Sequence, residues 1–138
     1  MRVVLDTNVL ISAFLFLGDA PEAVYRLALE GRIEVVTSRP LLAEFGRVLT
    51  AKFGWEARMA EEAVAQITRM AVVVEPAQTV SVVKADPADD RVLEAAAQGT
   101  AEVIVSGDRH LLRLGSWRDI AVLDPPAFLA AHFGPLGG

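Results

Sequence analysis

Five short apolar runs, each too brief to make a helix, recur along the chain between longer stretches with helical spacing. The runs are Arg2-Val3-Val4-Leu5, Ile33 to Thr37, Val72-Val73-Val74, Val103-Ile104-Val105 and Ala121-Val122-Leu123. Valine and isoleucine dominate them, and β-branched side chains suit the packed, pleated surface of a strand. Between them, Val9 to Leu17 is apolar all round, as in a helix packed on several sides. Pro21 opens a second helix with Val24, Leu27 and Ala28 on one stripe and Gly31 as its stop. Ser38 is an N-cap with Pro40 in the first turn, ahead of Leu41, Phe45, Val48 and Leu49. Further helices run from Glu56 to Met70, from Asp86-Pro87 to Gly99, and onward from Asp124-Pro125-Pro126. This alternation predicts an α/β fold: a three-layer α/β/α sandwich around a central, mostly parallel sheet of about five strands. Residues 1–133 are expected to form one domain, with Gly134 to Gly138 as a flexible C-terminal tail.

Composition narrows the chemistry. The chain has no cysteine, which excludes disulfides, thiolate metal sites and a cysteine nucleophile, and is compatible with a reducing cytoplasm. Its net charge is −5, with 13 Lys+Arg against 18 Asp+Glu, so nucleic acid is not held by bulk positive charge. A phosphate partner needs a local site or a bridging cation. The longest apolar run, Val9 to Leu17, is far below the roughly 20 residues that span a membrane. Asp6 and Asn8 also sit where a signal peptide is apolar, so a cytoplasmic chain is expected.

In parallel sheets, sites form beyond the carboxyl ends of the strands, so the polar residues there matter most. Asp6-Thr7-Asn8 follows the first strand, and Asp108 follows Val103-Ile104-Val105. Helix capping accounts for Thr7, Asn8 and Asp108 as well as function does, but it accounts less well for Asp6, directly after a buried strand. Glu44 flanks an apolar helix stripe and is equally read as a solvated partner of Arg47. Asp86 reads as an N-cap and Asp89 as a first-turn acid, whereas Asp90 shares the side of Leu93 and Ala97. Asp6, Glu44, Asp90 and Asp108 can therefore meet in one crevice. Carboxylates repel at contact by about 1 to 4 kcal/mol per pair, so such a set binds protons or cations. An all-oxygen site suits Mg²⁺ or Mn²⁺.

With these residues in order, the sequence resembles the PIN-domain ribonucleases. Asp6-Thr7-Asn8 is similar to that family's opening motif, and Glu44 in Ser38-Arg-Pro-Leu-Leu-Ala-Glu44 to its second acid. Asp90-Arg-Val-Leu-Glu-Ala-Ala-Ala is similar to the segment of the third, and Val105-Ser106-Gly107-Asp108 to the fourth. The ending Leu123-Asp-Pro-Pro-Ala-Phe128-Leu resembles the bacterial, toxin-like VapC branch. Two features depart from the pattern. His110 stands where that branch commonly has aspartate, and Asp89 beside Asp90 leaves the third acid ambiguous by one position.

The resemblance implies a metal-dependent endoribonuclease, a toxin component with an antitoxin partner, forming homodimers. It implies Asp6, Glu44, Asp90 and Asp108 as catalytic metal ligands with Asp6 central, and Thr7, Asn8 and Ser106 as groups that orient them. Arg39, Arg91 and Arg109 lie near these motifs and fit either phosphate contacts or surface ion pairs. Phe53, Trp55 and Trp117 offer stacking surfaces for bases or ordinary packing, and His110 and His132 read as surface or helix-end residues. Two other readings stand beside this one. A haloacid-dehalogenase-like phosphatase would use Asp6, Ser38, Lys84 and Gly107-Asp108, but Asn8 replaces its second aspartate. A catalytically degenerate module binding RNA or a protein partner would not need the acids at all.

Overall fold

The fold is taken from a computed structural model that describes residues 1–83 and 86–134. Most of the tail expected from Gly134 to Gly138 lies outside the described residues, as does Lys84. The elements in chain order are β1 (Arg2–Leu5), α1 (Thr7–Leu15), α2 (Ala20–Leu29), β2 (Glu34–Ser38), α3 (Arg39–Ala51), α4 (Ala57–Met70) and β3 (Val72–Val74). They continue with α5 (Pro87–Gln98), β4 (Val103–Val105), α6 (Arg109–Leu112), β5 (Ser116–Trp117), β6 (Ile120–Leu123) and α7 (Pro125–His132). The strands form one sheet in the order β3-β2-β1-β4-β6-β5, parallel throughout except for the β5–β6 pair.

The strands have no polar face because both faces of the sheet are covered. In β1, Val3 and Leu5 join Leu10, Val24, Phe45 and Phe128 on one side of the sheet. Val4, between them, joins Val36, Leu93, Ile104 and Leu111 on the other. Helices α1, α2, α3, α4 and α7 supply most of the first layer, while α5 and α6 supply the second. This is the three-layer sandwich expected from the alternation. Gly99, which ends α5, has a packing reason to be glycine: a Cβ there would collide with Val36 Cγ1. Among the described residues, no helix is long and apolar enough to cross a membrane.

The sheet has six strands where about five are expected. The additional one, β5, folds back on β6 through a two-residue turn at Arg118 and Asp119. Both turn residues are left-handed, with φ of 51° and 63°. Turns of this kind are usually announced by Asn-Gly or Asp-Gly, and Arg-Asp carries no such signal.

Candidate metal centre

The chain leaves β1 for β2 and β3 on one side of the sheet, then returns to β4 on the other. The carboxyl ends of β1 and β4 therefore mark the topological switch, where loops diverge and open a crevice. Asp6 occupies the first of these ends. Its backbone N–H donates to Val105 O at 2.9 Å, extending the β1–β4 pairing by one bond. Its carboxylate accepts from Thr7 N (2.7 Å) and from Ser106 Oγ (2.6 Å). Ser106 Oγ in turn accepts from Asp108 N at 2.9 Å. A chain of short bonds thus fixes the two strand-end acids relative to each other. Asn8 Oδ1 adds a longer bond, 3.4 Å, from Gly107 N.

A cleft of about 330 Å³ opens above this junction, and Asp6, Glu44, Asp86, Asp89 and Asp108 all line it. Glu44 reaches it from α3, Asp89 from the first turn of α5, and Asp86 and Asp108 from the N-caps of α5 and α6. Carboxylate oxygens of Asp86, Asp89 and Asp108 lie within 4.8 Å of one another. Among the described residues, none of the five acids forms an ion pair with lysine or arginine. Asp89 Oδ2 and Thr7 Oγ1 are buried and have no hydrogen-bond partner.

That crowding shows in the proton affinities. Burial pushes the Asp6 carboxyl up to about 6; the bonds from Ser106 and Thr7 oppose this, and the charges of Asp108 and Glu44 add to it. Burial again is the main cause for Asp89, pushed up to about 8, with repulsion from Asp108, Asp6 and Asp86 and a side-chain hydrogen bond with Asp108 adding to it. A group of buried and half-buried acids without a partner cation among the described residues fits a divalent ion: all ligands are oxygen, and the orphaned Asp89 Oδ2 is one more donor atom for it.

These shifts have a definite sign. In the unfolded chain the carboxyls lose their protons near 3.8, whereas the folded chain holds them to about 6 and about 8. The two groups therefore lower the stability of the metal-free protein as pH rises from about 4 to about 8. A cation must displace those protons, so it binds more tightly as pH rises towards 8. The increase in Tm on adding Mn²⁺ is expected to be larger at pH 8 than at pH 6 by differential scanning fluorimetry. Equal increases at the two pH values would contradict a protonated Asp89.

The residues expected from the sequence separate into two groups. Asp6, Glu44 and Asp108 line the cleft together with Thr7 and Asn8, and Ser106 lies directly beneath. Asp90 does not reach it. Its Oδ1 accepts from Val82 N (3.0 Å) and Val83 N (2.9 Å), tying down the irregular segment ahead of α5. Glu94 Oε2 holds Val80 N at 2.9 Å and Gln98 Oε1 holds Ala77 N at 3.1 Å, so three residues four apart on α5 grip one strap. Asp89, one position before Asp90, lines the cleft instead. Asp86, Asp89 and Asp108 each bring an oxygen within 4.8 Å of the others, and the charge of Asp6 acts on both Asp89 and Asp108.

The arginines divide similarly. Arg39 is exposed and lies 3.8 Å from Glu75, and Arg91 pairs with Glu94 at 2.7 Å. Neither lines the cleft. Arg109 is exposed next to Asp108. Trp55 and Trp117 pack partly buried against the two cores. Among the described residues, the lysine that lines the cleft is Lys52, beside Phe53. It follows α3 at a position with no motif around it, so only the fold identifies it.

The residues 2–110 match a family model described as PIN domain. A search of curated proteins finds no match. Among solved structures, VapBC2 from Rickettsia felis bound to a DNA fragment from its promoter is similar at a TM-score of 0.62 and 12% identity, covering 88% of this chain and 97% of that one. VapBC-1 from nontypeable Haemophilus influenzae is similar at 0.61 and 16% identity, covering 91% of this chain and 99% of that one.

Proposed function

Because the chain belongs to the PIN-domain family, we propose that it is a metal-dependent endoribonuclease of the VapC type, a cytoplasmic toxin that pairs with an antitoxin. The working unit is the single domain 1–133, expected to act as a homodimer. The observation that carries this reading is the convergence of Asp6, Glu44, Asp86, Asp89 and Asp108 in one cleft with no basic partner among the described residues. Family membership leaves the phosphatase reading without support, and its serine, Ser38, is occupied as the N-cap of α3.

Asp86, Asp89 and Asp108 would hold Mg²⁺ or Mn²⁺, with Asp6 and Glu44 completing the negative wall. Bound there, the ion supplies a water of lowered pKa and positive charge against the scissile phosphate. The chain does the positioning. Thr7 N–H and Ser106 Oγ–H fix both oxygens of Asp6, and Ser106 Oγ accepts from Asp108 N, so one hydroxyl aligns two acids. Arg109, exposed beside Asp108, would contact a flanking phosphate. No histidine or lysine base is required, and the expected products carry a 5′-phosphate and a 3′-hydroxyl.

The test is cleavage of a 5′-labelled RNA by purified protein in Mn²⁺ or Mg²⁺. Cleavage should stop in excess EDTA and should be lost in Asp6→Asn. Equal cleavage by the variant would assign the activity to a contaminant. An inert wild type that binds no Mn²⁺ by calorimetry would favour the degenerate module instead.

A further inference from the structure

The same cleft has a second, chemically different end. Ile11, Phe16, Val48, Lys52 and Phe53 line the cleft too; Phe16 caps the end of α1 opposite to Asp6, and Val48 and Lys52 lie one and two turns beyond Glu44 towards the end of α3. Phe16 is 53% exposed and Phe53 41% exposed, although both belong to a class of side chain that usually finds cover. Both are placed by helix ends. Phe16 is the C-cap of α1, its N–H donating to Ser12 O at 2.8 Å. Phe53 and Trp55 close the end of α3, donating to Val48 O (3.3 Å) and Leu49 O (3.0 Å), with Gly54 between them left-handed at φ 69°. Lys52 Nζ lies over one face of the Phe53 ring, 5.8 Å from its centroid, leaving the other face for a base. Among the described residues it is the one lysine or arginine lining the cleft, against five acids.

An aromatic face beside an ammonium matches the two halves of a nucleotide, a base to stack and a phosphate to neutralise. We infer that Phe16, Lys52 and Phe53 form a shelf at the apolar end of the cleft that seats an unpaired base and its phosphate next to the bond to be cut. The inference rests on the nuclease reading of the acidic end and specifies how the strand is aligned there. A stacked base in a paired duplex has no free face, so the shelf selects single-stranded RNA.

The measurement is fluorescence anisotropy of a labelled single-stranded 12-mer RNA, with its duplex as comparison, bound to the full chain carrying Asp6→Asn to stop turnover. Adding Phe53→Ala is expected to weaken single-strand binding by about 5- to 100-fold, the loss of one base–aromatic stack. Phe53→Trp should restore it, and Lys52→Ala should weaken binding while flattening its salt dependence. Duplex affinity should change little. Unchanged single-strand binding in Phe16→Ala and Phe53→Ala would overturn the shelf while leaving metal-dependent cleavage intact. Ring-dependent binding by a protein that never cleaves would retain the shelf and remove the nuclease reading. Sedimentation that converts a wild-type dimer into a Phe53→Ala monomer, at unchanged RNA affinity, would give this surface to a second copy and also overturn it.

Discussion

Replacing Asp89 with asparagine is expected to lower Mn²⁺-dependent RNA cleavage by more than about 100-fold, while Asp90→Asn changes it only a few-fold. Partners that merely orient metal ligands are worth about 10- to 100-fold, so loss of a direct ligand should exceed that range. Asp89 Oδ2 is buried, unpartnered and close to Asp86 and Asp108, whereas Asp90 is committed to Val82 and Val83. An asparagine at 90 keeps an oxygen for both amides. Asp90→Ala removes it and strands the buried Val83 N–H, costing about 1–3 kcal/mol of stability with cleavage retained below the melting transition. Asp89→Asn should have the opposite profile: little activity, and a metal-free Tm equal to or above wild type, because a crowded acid has been removed. Single-turnover assays with parallel thermal melts read both quantities. An inactive Asp90→Asn beside an active Asp89→Asn would reverse the assignment.

The second large effect is on the fold. Phe45→Ala is expected to cost about 3–5 kcal/mol, the range for emptying a buried phenylalanine site. Phe45 is fully buried, and its ring centroid lies 5.5 Å from that of Phe14, which stands 5.2 Å from Tyr25. Its removal would leave a void where α1, α2 and α3 meet under the sheet. Against a total stability of about 5–15 kcal/mol, that loss is a large fraction, equivalent to roughly 10–17 °C in Tm. Leu17→Ala, at a position 78% exposed, should stay within about 0.5 kcal/mol. Urea unfolding followed by circular dichroism measures the difference, and a loss below about 1 kcal/mol for Phe45→Ala would contradict this account of the core.

The sheet was legible because its strands are buried on both faces, and Val-rich runs between capped helices have few other uses. Ser38, Asp86, Asp108 and Asp124 all cap the helices that their positions announce. The crevice was legible as well, since residues after β1 and β4 must meet at the switch. Helix phase was harder. Asp89 and Asp90 differ by about 100° around α5, and what separates them is the strap at 77–83, whose polar backbone bonds leave no periodic trace. Asp86 was hidden by its own capping bond, because a cap can turn a second oxygen to other work. Lys52 and Phe16 sit at helix ends, outside any motif, and acquire meaning only from the surface they share.

The three grips of α5 on the strap bear on how such a chain can change through descent. Asp90, Glu94 and Gln98 face away from the cleft while Asp86 and Asp89 face into it. Inserting or deleting one residue at the start of this helix would turn both sets out of place together, so length variation is tolerated poorly there. The stretch between Glu75 and the first grip at Ala77, by contrast, can lengthen without disturbing either allegiance. Lineages of this domain should accordingly accumulate their indels ahead of the strap and keep the α5 start fixed in length, even where the individual acids drift.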